Sequence, residues 1–400
     1  MSILNFSNRF VLVGAIGLLC LVACSDRESS QDLLKQAETS FNTQDYTSAY
    51  DYLKPLAEAG DGSAQFLIGS IYNDGLGREV DPTAAMIWFE KAAQNDMVKA
   101  QYLLGMGHVV GRGVPQDYDK AFLWLKAAAD ENHSAAQLQT GLMYESGAGT
   151  QRNVVKAVDY LTRAAEQNNV EAQNSLGFLY LSNSSGVFDQ TSGLKWLTKA
   201  ADNGDQRSQY YVGFNLLQNE DASEEDLARG ANYMQNAAHQ GMASAQFILG
   251  FLHTHGKAVS RDMDKAESFF YQAAEQGHEE AAVRYAELIK GGGPEKMWKL
   301  GRLYAGGVGV EQNDVKASEL YLQAAEAGYA DAQFAIARAY STGRGVEQDY
   351  VQAHKWTNLA AAAGIQEAVK ERSIYMQLMT PEQIAEAQGL ARKWTEDHLQ

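Results

Sequence analysis

The chain has 400 residues, 45% of them hydrophobic, and a formal net charge of −17. This excess of carboxylates argues against nucleic-acid binding, because the phosphates would be repelled. The two cysteines, Cys20 and Cys24, both lie near the N-terminus, so the rest of the chain contains no structural disulfide.

The N-terminal segment is typical of a secretion signal. Residues 10–23 are a run of 14 residues that are all apolar or glycine, preceded by a polar segment with one charge, Arg9. This run is too short to span a bilayer comfortably and fits the apolar region of a signal peptide. It ends in Leu21-Val-Ala-Cys24, which resembles a bacterial lipobox.

The lipobox resemblance implies that residues 1–23 are removed and that Cys24 becomes the lipid-modified first residue. Stable attachment to the membrane requires several acyl chains, because each buried CH₂ contributes only about 0.8 kcal/mol of binding free energy. By analogy with enteric sorting rules, Ser25 after Cys24 favours the outer membrane, facing the periplasm, with surface exposure as the alternative. An ordinary secretory signal with an accidental cysteine is the other interpretation.

The segment after Cys24 leads into helical structure. Residues 24–30 are polar and are predicted to form a tether, and residues 31–63 are predicted to form an N-terminal capping hairpin. From residue 64 an Ala-Gln pair recurs at 36-residue spacing, first at Ala64, Ala100, Ala136 and Ala172. A fixed period of this length predicts a solenoid of stacked units over residues 64–280 and 296–367.

Each unit has small residues and helix-capping residues at the same positions. A small residue follows five positions after each Ala-Gln start, which indicates close approach of a neighbouring helix. A loop with paired glycines and an Asx residue that can cap a second helix come next. These Asx residues are Asp81, Asp117, Asn153, Asp189, Asp262, Asn313 and Asp349. The second helix stops at a residue that accepts left-handed geometry, namely Gly60, Asp96, Asn132, Asn168, Gly204, Gly241, Gly277, Gly328 and Gly364.

The pattern AQxxLGxxYxxGxGVxxDxxKAxxWxxKAAxxG resembles the Sel1-like repeat family, a relative of the tetratricopeptide (TPR) repeat, over roughly residues 28–368. The resemblance implies an all-α fold, an α/α superhelical solenoid of antiparallel hairpins. It also implies an adaptor or scaffold role, with partners held in a groove lined by the first helices. Candidate groove residues at non-repeating positions include Gln139, Asn174, Tyr210 and Arg338.

Two regions depart from the repeat. Residues 281–295 form a truncated repeat, in which a first helix meets Gly291-Gly-Gly-Pro294 with no second half. It is interpreted either as a decayed repeat that still packs, or as a hinge or change of superhelix direction. Residues 368–400 are predicted as C-terminal capping helices. There Thr380 and Gln383 form a capping box before an apolar stripe.

Catalytic and metal motifs are sparse. Ser192-Gly-Leu-Lys195 fits SxxK, but its companion motifs are missing. His108 and His253 occupy a position held elsewhere by tyrosine, so they are interpreted as core rings rather than as metal ligands. An aromatic residue recurs at one position of the second helices and is interpreted as core packing. These residues are Trp88, Trp124, Tyr160, Trp196, Tyr233 and Trp356. We therefore expect no catalytic residue, metal or cofactor.

Three functional hypotheses remain. The first is a non-catalytic, lipid-anchored scaffold for an unidentified protein partner in envelope assembly, secretion or polysaccharide export. The second is a glycan- or host-protein-binding surface protein on the same solenoid. The third, a cell-wall hydrolase resembling a β-lactamase, predicts turnover that Ser192→Ala abolishes.

Overall fold

The computed structural model describes residues 24–398, which form twenty-one α-helices and no strand. This confirms the all-α repeat fold. The predicted signal peptide, residues 1–23, lies outside the described residues. The first helix begins at Cys24, so the backbone of residues 24–30 is helical and continuous with the first hairpin, where the sequence predicted a tether.

The chain divides into two compact units, the first ending at Ala172 and the second beginning at Gln173. The first unit contains α1 (Cys24–Asn42), α2 (Tyr46–Glu58), α3 (Gly62–Asp74), α4 (Pro82–Gln94), α5 (Val98–Val110), α6 (Tyr118–Asp130), α7 (Ser134–Ser146) and α8 (Val154–Glu166). The boundary lies in α9 (Val170–Leu181). The second unit continues with α10 (Gln190–Asp202), α11 (Gln206–Gln218), α12 (Glu224–His239), α13 (Ala243–His255), α14 (Met263–Glu275), α15 (Glu279–Leu288), α16 (Pro294–Gly306), α17 (Asp314–Glu326), α18 (Ala330–Thr342), α19 (Tyr350–Ala362), α20 (Gln366–Gln377) and α21 (Pro381–His398).

The predicted helix boundaries are confirmed. Each of the seven Asx residues accepts a hydrogen bond from a backbone N–H in the first turn of a second helix, as Asp117 does from Lys120 at 3.0 Å. All nine predicted stop residues have positive φ. Left-handed backbone ends the helix there, because the next residues can no longer continue the hydrogen-bond ladder.

Small residues inside the first helices mark the closest approach within each hairpin. A Cβ built at Gly105 would lie 2.6 Å from Leu125 Cγ, and Gly69, Gly141, Gly177, Gly250 and Gly301 face a Phe, Leu or Tyr in the same way. The large side chain of the second helix therefore sits directly on the backbone of the first. We call this side chain the knob residue. In the last full hairpin, Ala337 replaces the glycine and the knob position holds the smaller Thr357, which is fully buried.

The glutamine of each Ala-Gln pair is buried and ties neighbouring helices together. Its Nε2 donates to the carbonyl of the residue eight positions earlier, near the end of the preceding helix, as Gln137 does to Ala129 at 3.1 Å. Gln65, Gln101, Gln209, Gln246 and Gln333 make the equivalent bond. Where the C-cap residue of its own hairpin's second helix is Asn or Gln, that side chain donates to the glutamine Oε1, as Gln167 Nε2 does to Gln137 Oε1 at 2.7 Å. We call this arrangement the glutamine ladder.

Two C-cap residues break the glutamine ladder, since Ala363 after α19 has no polar side chain and Glu131 after α6 has a carboxylate. The C-cap residue that should donate to Gln101 is Glu131, and a carboxylate oxygen accepts hydrogen bonds but does not donate them. Gln101 Oε1 is accordingly buried without a hydrogen-bond partner, whereas the equivalent oxygens of Gln65 and Gln209 accept from Asn95 and Gln240. An unsatisfied buried acceptor is destabilising, so this site is a weak point of the first unit.

A second polar tie joins successive second helices. Tyr160 donates to Asp130 Oδ1 at 2.6 Å, and Tyr233 donates to Asp202. Burial and the neighbouring carboxylate each favour the neutral phenol and raise the pKa of both tyrosines to about 12.

These tyrosines predict a loss of stability at high pH. Their pKa is higher in the folded than in the unfolded chain, so their contribution is complete below the ordinary value of 10.0 and disappears as the pH rises to about 12. Tyr160→Phe should make the free energy of unfolding less sensitive to pH in this range. Urea titrations at pH 8 and 11 measure the difference. An unchanged pH dependence in the variant would contradict the prediction.

The truncated repeat is packed, and helix direction reverses within it. Tyr285 of α15 is fully buried among residues of α14 and α16, and its hydroxyl donates to the Lys296 carbonyl at 3.3 Å. The turn at 289–293 joins the end of α15 to the start of α16. At the other end, the position of Gly309, just after α16, approaches His278 and Ala282 at the start of α15. Helix α16 is therefore antiparallel to α15.

Helix α16 runs parallel to α14, because Lys296 pairs with Glu267 near one end and Arg302 Nη1 lies 3.5 Å from Glu275 Oε1 near the other. First helices elsewhere run antiparallel to the preceding second helix. Helix α16 contacts α15 at only a few positions and forms its close hairpin with α17, as a first helix. Leu300 and Leu303 of α16 nevertheless join the apolar cluster around Tyr285, so the truncated repeat is packed.

The C-terminal cap follows the predicted pattern in part. Thr380 and Gln383 exchange the two hydrogen bonds of a capping box, at 2.9 and 3.3 Å. Ala387 and Ala391 of α21 are buried, and Trp394 packs edge-to-face on Trp356 at 6.1 Å. Helix α21 covers α19 rather than forming a close hairpin with α20.

Candidate functional site

The SxxK serine has a structural role. Ser192 lies in the first turn of α10, and its hydroxyl donates to the capping carboxylate of Asp189 at 2.7 Å. Its backbone N–H also bonds Asp189. The Ser192 hydroxyl therefore donates its proton to the carboxylate that caps its own helix. Within residues 24–398, moreover, no group of three His, Cys, Asp or Glu side chains is placed to hold a metal ion.

The histidines in the tyrosine position are core rings, as predicted. His108 Nδ1 lies 3.2 Å from the Pro115 carbonyl, and His253 Nδ1 lies 3.0 Å from the Ser260 carbonyl, so each ring ties a helix to the loop that follows it. His255 is exposed and stacks on Phe251 with ring centroids 4.1 Å apart. His253 and His255 thus occupy different surroundings.

Two other histidines act as helix N-caps, a role that the sequence did not indicate. His133 Nδ1 accepts the Ala136 N–H at 3.2 Å, and His278 does the same for Ala281. Only a ring nitrogen without a proton can accept this bond. Burial, and then the charge of Lys99, lower the pKa of His133.

This cap predicts sensitivity to acid. Because the folded pKa of His133 is depressed, its contribution is present above the ordinary value of 6.5 and is lost as the pH falls through the lower folded value. His133→Asn should retain the cap, as Asn169 does for Ala172 at 3.0 Å, and should flatten the stability profile between pH 7 and 5. Thermal unfolding of both proteins across this range tests it. Parallel profiles would contradict the prediction.

The aromatic residues of the second helices are mainly core. Tyr160, Trp196, Tyr233 and Trp356 are buried, as predicted, whereas Trp88 and Trp124 are half-buried. Lys91 lies over the Trp88 ring at 4.1 Å from its centroid, and Lys199 lies over Trp196 at 4.5 Å. These cations cover the outer faces of the two rings.

The prediction that Asn174 lines the groove is wrong. Asn174 is buried, and its Nδ2 donates to Asp205 at 2.7 Å and to Ser208 at 2.9 Å. Its position on the first helix faces the next first helix, not the groove, so the amide completes an internal network. Asn174 is thus a tie between repeats.

The other three candidates are accessible to different degrees. Gln139 is half-buried. Tyr210 is half-buried and stacks on Phe214 with centroids 5.9 Å apart. Arg338 is exposed, although its guanidinium lies 3.5 Å from Glu371 and over the Phe334 ring. None of them forms a free cluster of polar groups.

The second unit instead presents aromatic side chains on one face of its first helices. Phe178, Phe214 and Phe251 stand at the same repeat position on α9, α11 and α13, six residues after the Ala or Ser of the start pair. Tyr211 joins them, with its ring packed edge-to-face on Phe178 at 5.5 Å. We call these four residues the aromatic stripe. Phe251 is 44% exposed, and the other three are half-buried.

The charges beside the aromatic stripe differ from the average of the chain. Arg207 lies over the Phe178 ring at 5.3 Å from its centroid, and His255 stacks on Phe251. Neighbouring positions on the same face hold Ser175, Ile248 and Gln218 rather than carboxylates. In a protein of net charge −17, this face can desolvate against an apolar partner without burying an acidic group.

No helix within residues 24–398 is both long enough and apolar enough to cross a membrane. The N-terminal lipid anchor therefore remains a prediction from the Cys24 motif alone.

The Sel1 repeat model matches nine segments of the chain. They are residues 43–61, 62–97, 98–133, 134–169, 170–205, 206–242, 243–278, 295–329 and 330–365, which together make up most of the sequence. The chain belongs to the Sel1 repeat family. Repeats of this family generally mediate protein–protein interactions, and most members are non-catalytic scaffolds.

Several solved structures resemble this Sel1 repeat protein. The antigen c5321 of uropathogenic Escherichia coli is 26% identical over 93% of both chains, with a TM-score of 0.47. A Sel1 repeat protein from Oxalobacter formigenes is 24% identical over 92% of this chain and 99% of its own, with a TM-score of 0.49. The immunity protein Pa5087 of Pseudomonas aeruginosa is 19% identical over 57% of this chain and 81% of its own, with a TM-score of 0.31. No curated protein gives a significant match.

Proposed function

We propose that this Sel1 repeat protein is a lipid-anchored scaffold of the bacterial cell envelope that holds a protein partner on its aromatic stripe. The partner inserts apolar side chains between Phe178, Phe214 and Phe251. The observation that carries the proposal is that aromatic side chains recur at one position on three successive first helices and remain partly exposed.

Burial of these rings explains why a protein partner is favoured. Rigid aromatic side chains supply large contact areas at low entropic cost and are enriched at the energetic centres of protein interfaces. The stripe contains few hydrogen-bonding groups besides the Tyr211 hydroxyl. Recognition through it depends on apolar contact and shape.

The location follows from the N-terminal motif. Leu21-Val-Ala-Cys24 ends an apolar run of signal-peptide length, and Ser25 favours the outer membrane. Acylated Cys24 places the repeats in the periplasm, where envelope-assembly, secretion or polysaccharide-export components are available as partners.

Crosslinking in membranes tests the proposal. The full-length protein with Phe214→Asp and Phe251→Asp should lose at least ten-fold of the partner recovered by affinity purification. Val315→Asp is the matched control, because Val315 is 57% exposed on a second helix of the same unit. Equal recovery from the stripe variant and the control would exclude the aromatic stripe as the binding surface.

The anchor has its own test. Cys24→Ser should release the protein from the membrane fraction and abolish incorporation of labelled palmitate. Retention in the membrane with no label would show attachment by another route and refute the lipid anchor.

A further inference from the structure

Helix α20 leaves uncovered a face that is buried in the complete repeats. The helix keeps the first-helix pattern, since Ala368 stands at the Ala position of the start pair and is fully buried, and Tyr375 is buried against the preceding repeat. Val369, Ser373 and Met376 then fall at the three positions that face a second helix. We call these three residues the open face.

The exposure of the open face is unusual for this position. Val369 is 39% exposed and Met376 is 41% exposed, whereas the equivalents of Val369 and Ser373 in the preceding repeat, Gln333 and Ala337, are 3% and 0% exposed. Helix α21 packs on α19 and leaves this side of α20 open.

The other hairpins define what fits such a face. In six hairpins a second helix places a knob residue on the glycine of the first helix, as Leu161 does on Gly141, between small residues one turn before and after it, such as Ala157 and Ala164. Ser373 holds the small position in α20, between two apolar side chains. We propose that the open face binds an amphipathic helix of a partner protein that carries a Leu or Phe knob between alanines.

This interface continues one that the chain already builds. Helix α20 stacks on α19 as other first helices stack on the preceding second helix, so a docked helix completes one more hairpin at the end of the array. The open face is separate from the aromatic stripe, which lies on α9, α11 and α13. The two surfaces are therefore tested by different variants.

A helical peptide of residues 153–168, held by a lactam bridge and labelled with a fluorophore, serves as the probe. Anisotropy should show saturable binding to the full chain, weakened at least ten-fold by Met376→Asp and by Leu161→Ala in the peptide. Ile374→Asp is the control, since Ile374 is 53% exposed on the same helix but stands at the aromatic-stripe position of its repeat.

Absence of saturable binding, or equal binding to the Met376→Asp and Ile374→Asp proteins, would overturn the proposal. Sedimentation velocity of the chain without peptide addresses the other occupant. Self-association that Met376→Asp abolishes would assign the open face to a second copy of the chain and would equally overturn the proposal.

Discussion

Thr357→Leu should lower the free energy of unfolding by about 1–3 kcal/mol, because a larger knob residue is forced against the Cβ of Ala337. Thr357 is fully buried, and its hydroxyl donates to the Ala353 carbonyl at 2.7 Å within its own helix. Six other hairpins accept a Leu, Phe or Tyr at this position, and in each of them the facing residue is glycine. The clash is therefore specific to the Ala337–Thr357 pair.

Adding Ala337→Gly should reverse most of this loss. Alone, Ala337→Gly is expected to cost about 0.5–1 kcal/mol as a glycine in a helix. Combined with Thr357→Leu, it reproduces the Gly–Leu pair seen at Gly105 and Leu125. Urea unfolding of the four proteins gives the coupling energy, expected to be at least 1 kcal/mol in favour of the double variant. Strict additivity would show that the two residues do not compete for space.

Glu131→Gln should stabilise the protein by about 0.5–1.5 kcal/mol, because the new amide can donate to the unsatisfied Oε1 of Gln101. The side chain at this position is exposed, so the change buries no additional surface. Glu131→Ala removes the carboxylate without adding a donor and is the matched control. A gain for Gln that does not exceed the gain for Ala would contradict the prediction.

The reverse substitution should have the opposite effect. Gln167→Glu replaces the donor to Gln137 with an acceptor and should destabilise by about 1–3 kcal/mol, since Gln137 is fully buried. Thermal unfolding followed by circular dichroism measures both directions. Opposite shifts of the midpoint for Glu131→Gln and Gln167→Glu are the expected result.

Local features of the repeat could be predicted from the sequence because each depends on one residue type in one backbone state. Asp117 caps its helix because a free backbone N–H lies three residues later in the chain. Asn132 and Gly204 end their helices by adopting positive φ. The recurring glycines likewise indicated close approach. Because these residue types recur in every repeat, their weak local preferences together predicted where the helices begin and end.

Features that depend on a partner residue were not predictable in the same way. The recurring glutamine was visible, but its hydrogen bond to a carbonyl eight residues earlier requires the geometry of two packed helices. A polar residue that recurs beside a buried alanine is the pattern that could have indicated this role. Asn174 was misplaced because the register of its helix against the next one decides which way it faces.

The aromatic stripe was also missed, although its residues share one repeat position. The groove residues predicted from the sequence stand at non-repeating positions, whereas Phe178, Phe214 and Phe251 are partly exposed in the structure. The recurrence of Phe at one repeat position is the sequence signal that indicates this surface. The reversal at α16 depends on the length of a five-residue turn, which composition alone does not determine.

The apolar side chains that α16 contributes to the cluster around Tyr285 have a consequence for how the molecule opens. In an ordinary array, local unfolding can stop between any two repeats, because each repeat contains both helices of its hairpin. Here, unfolding of the C-terminal repeats as far as α16 would expose Tyr285 of α15. We therefore expect α15 to unfold together with α16 in one cooperative step. Backbone amides of α15 and α16 should therefore exchange hydrogen with a common opening free energy.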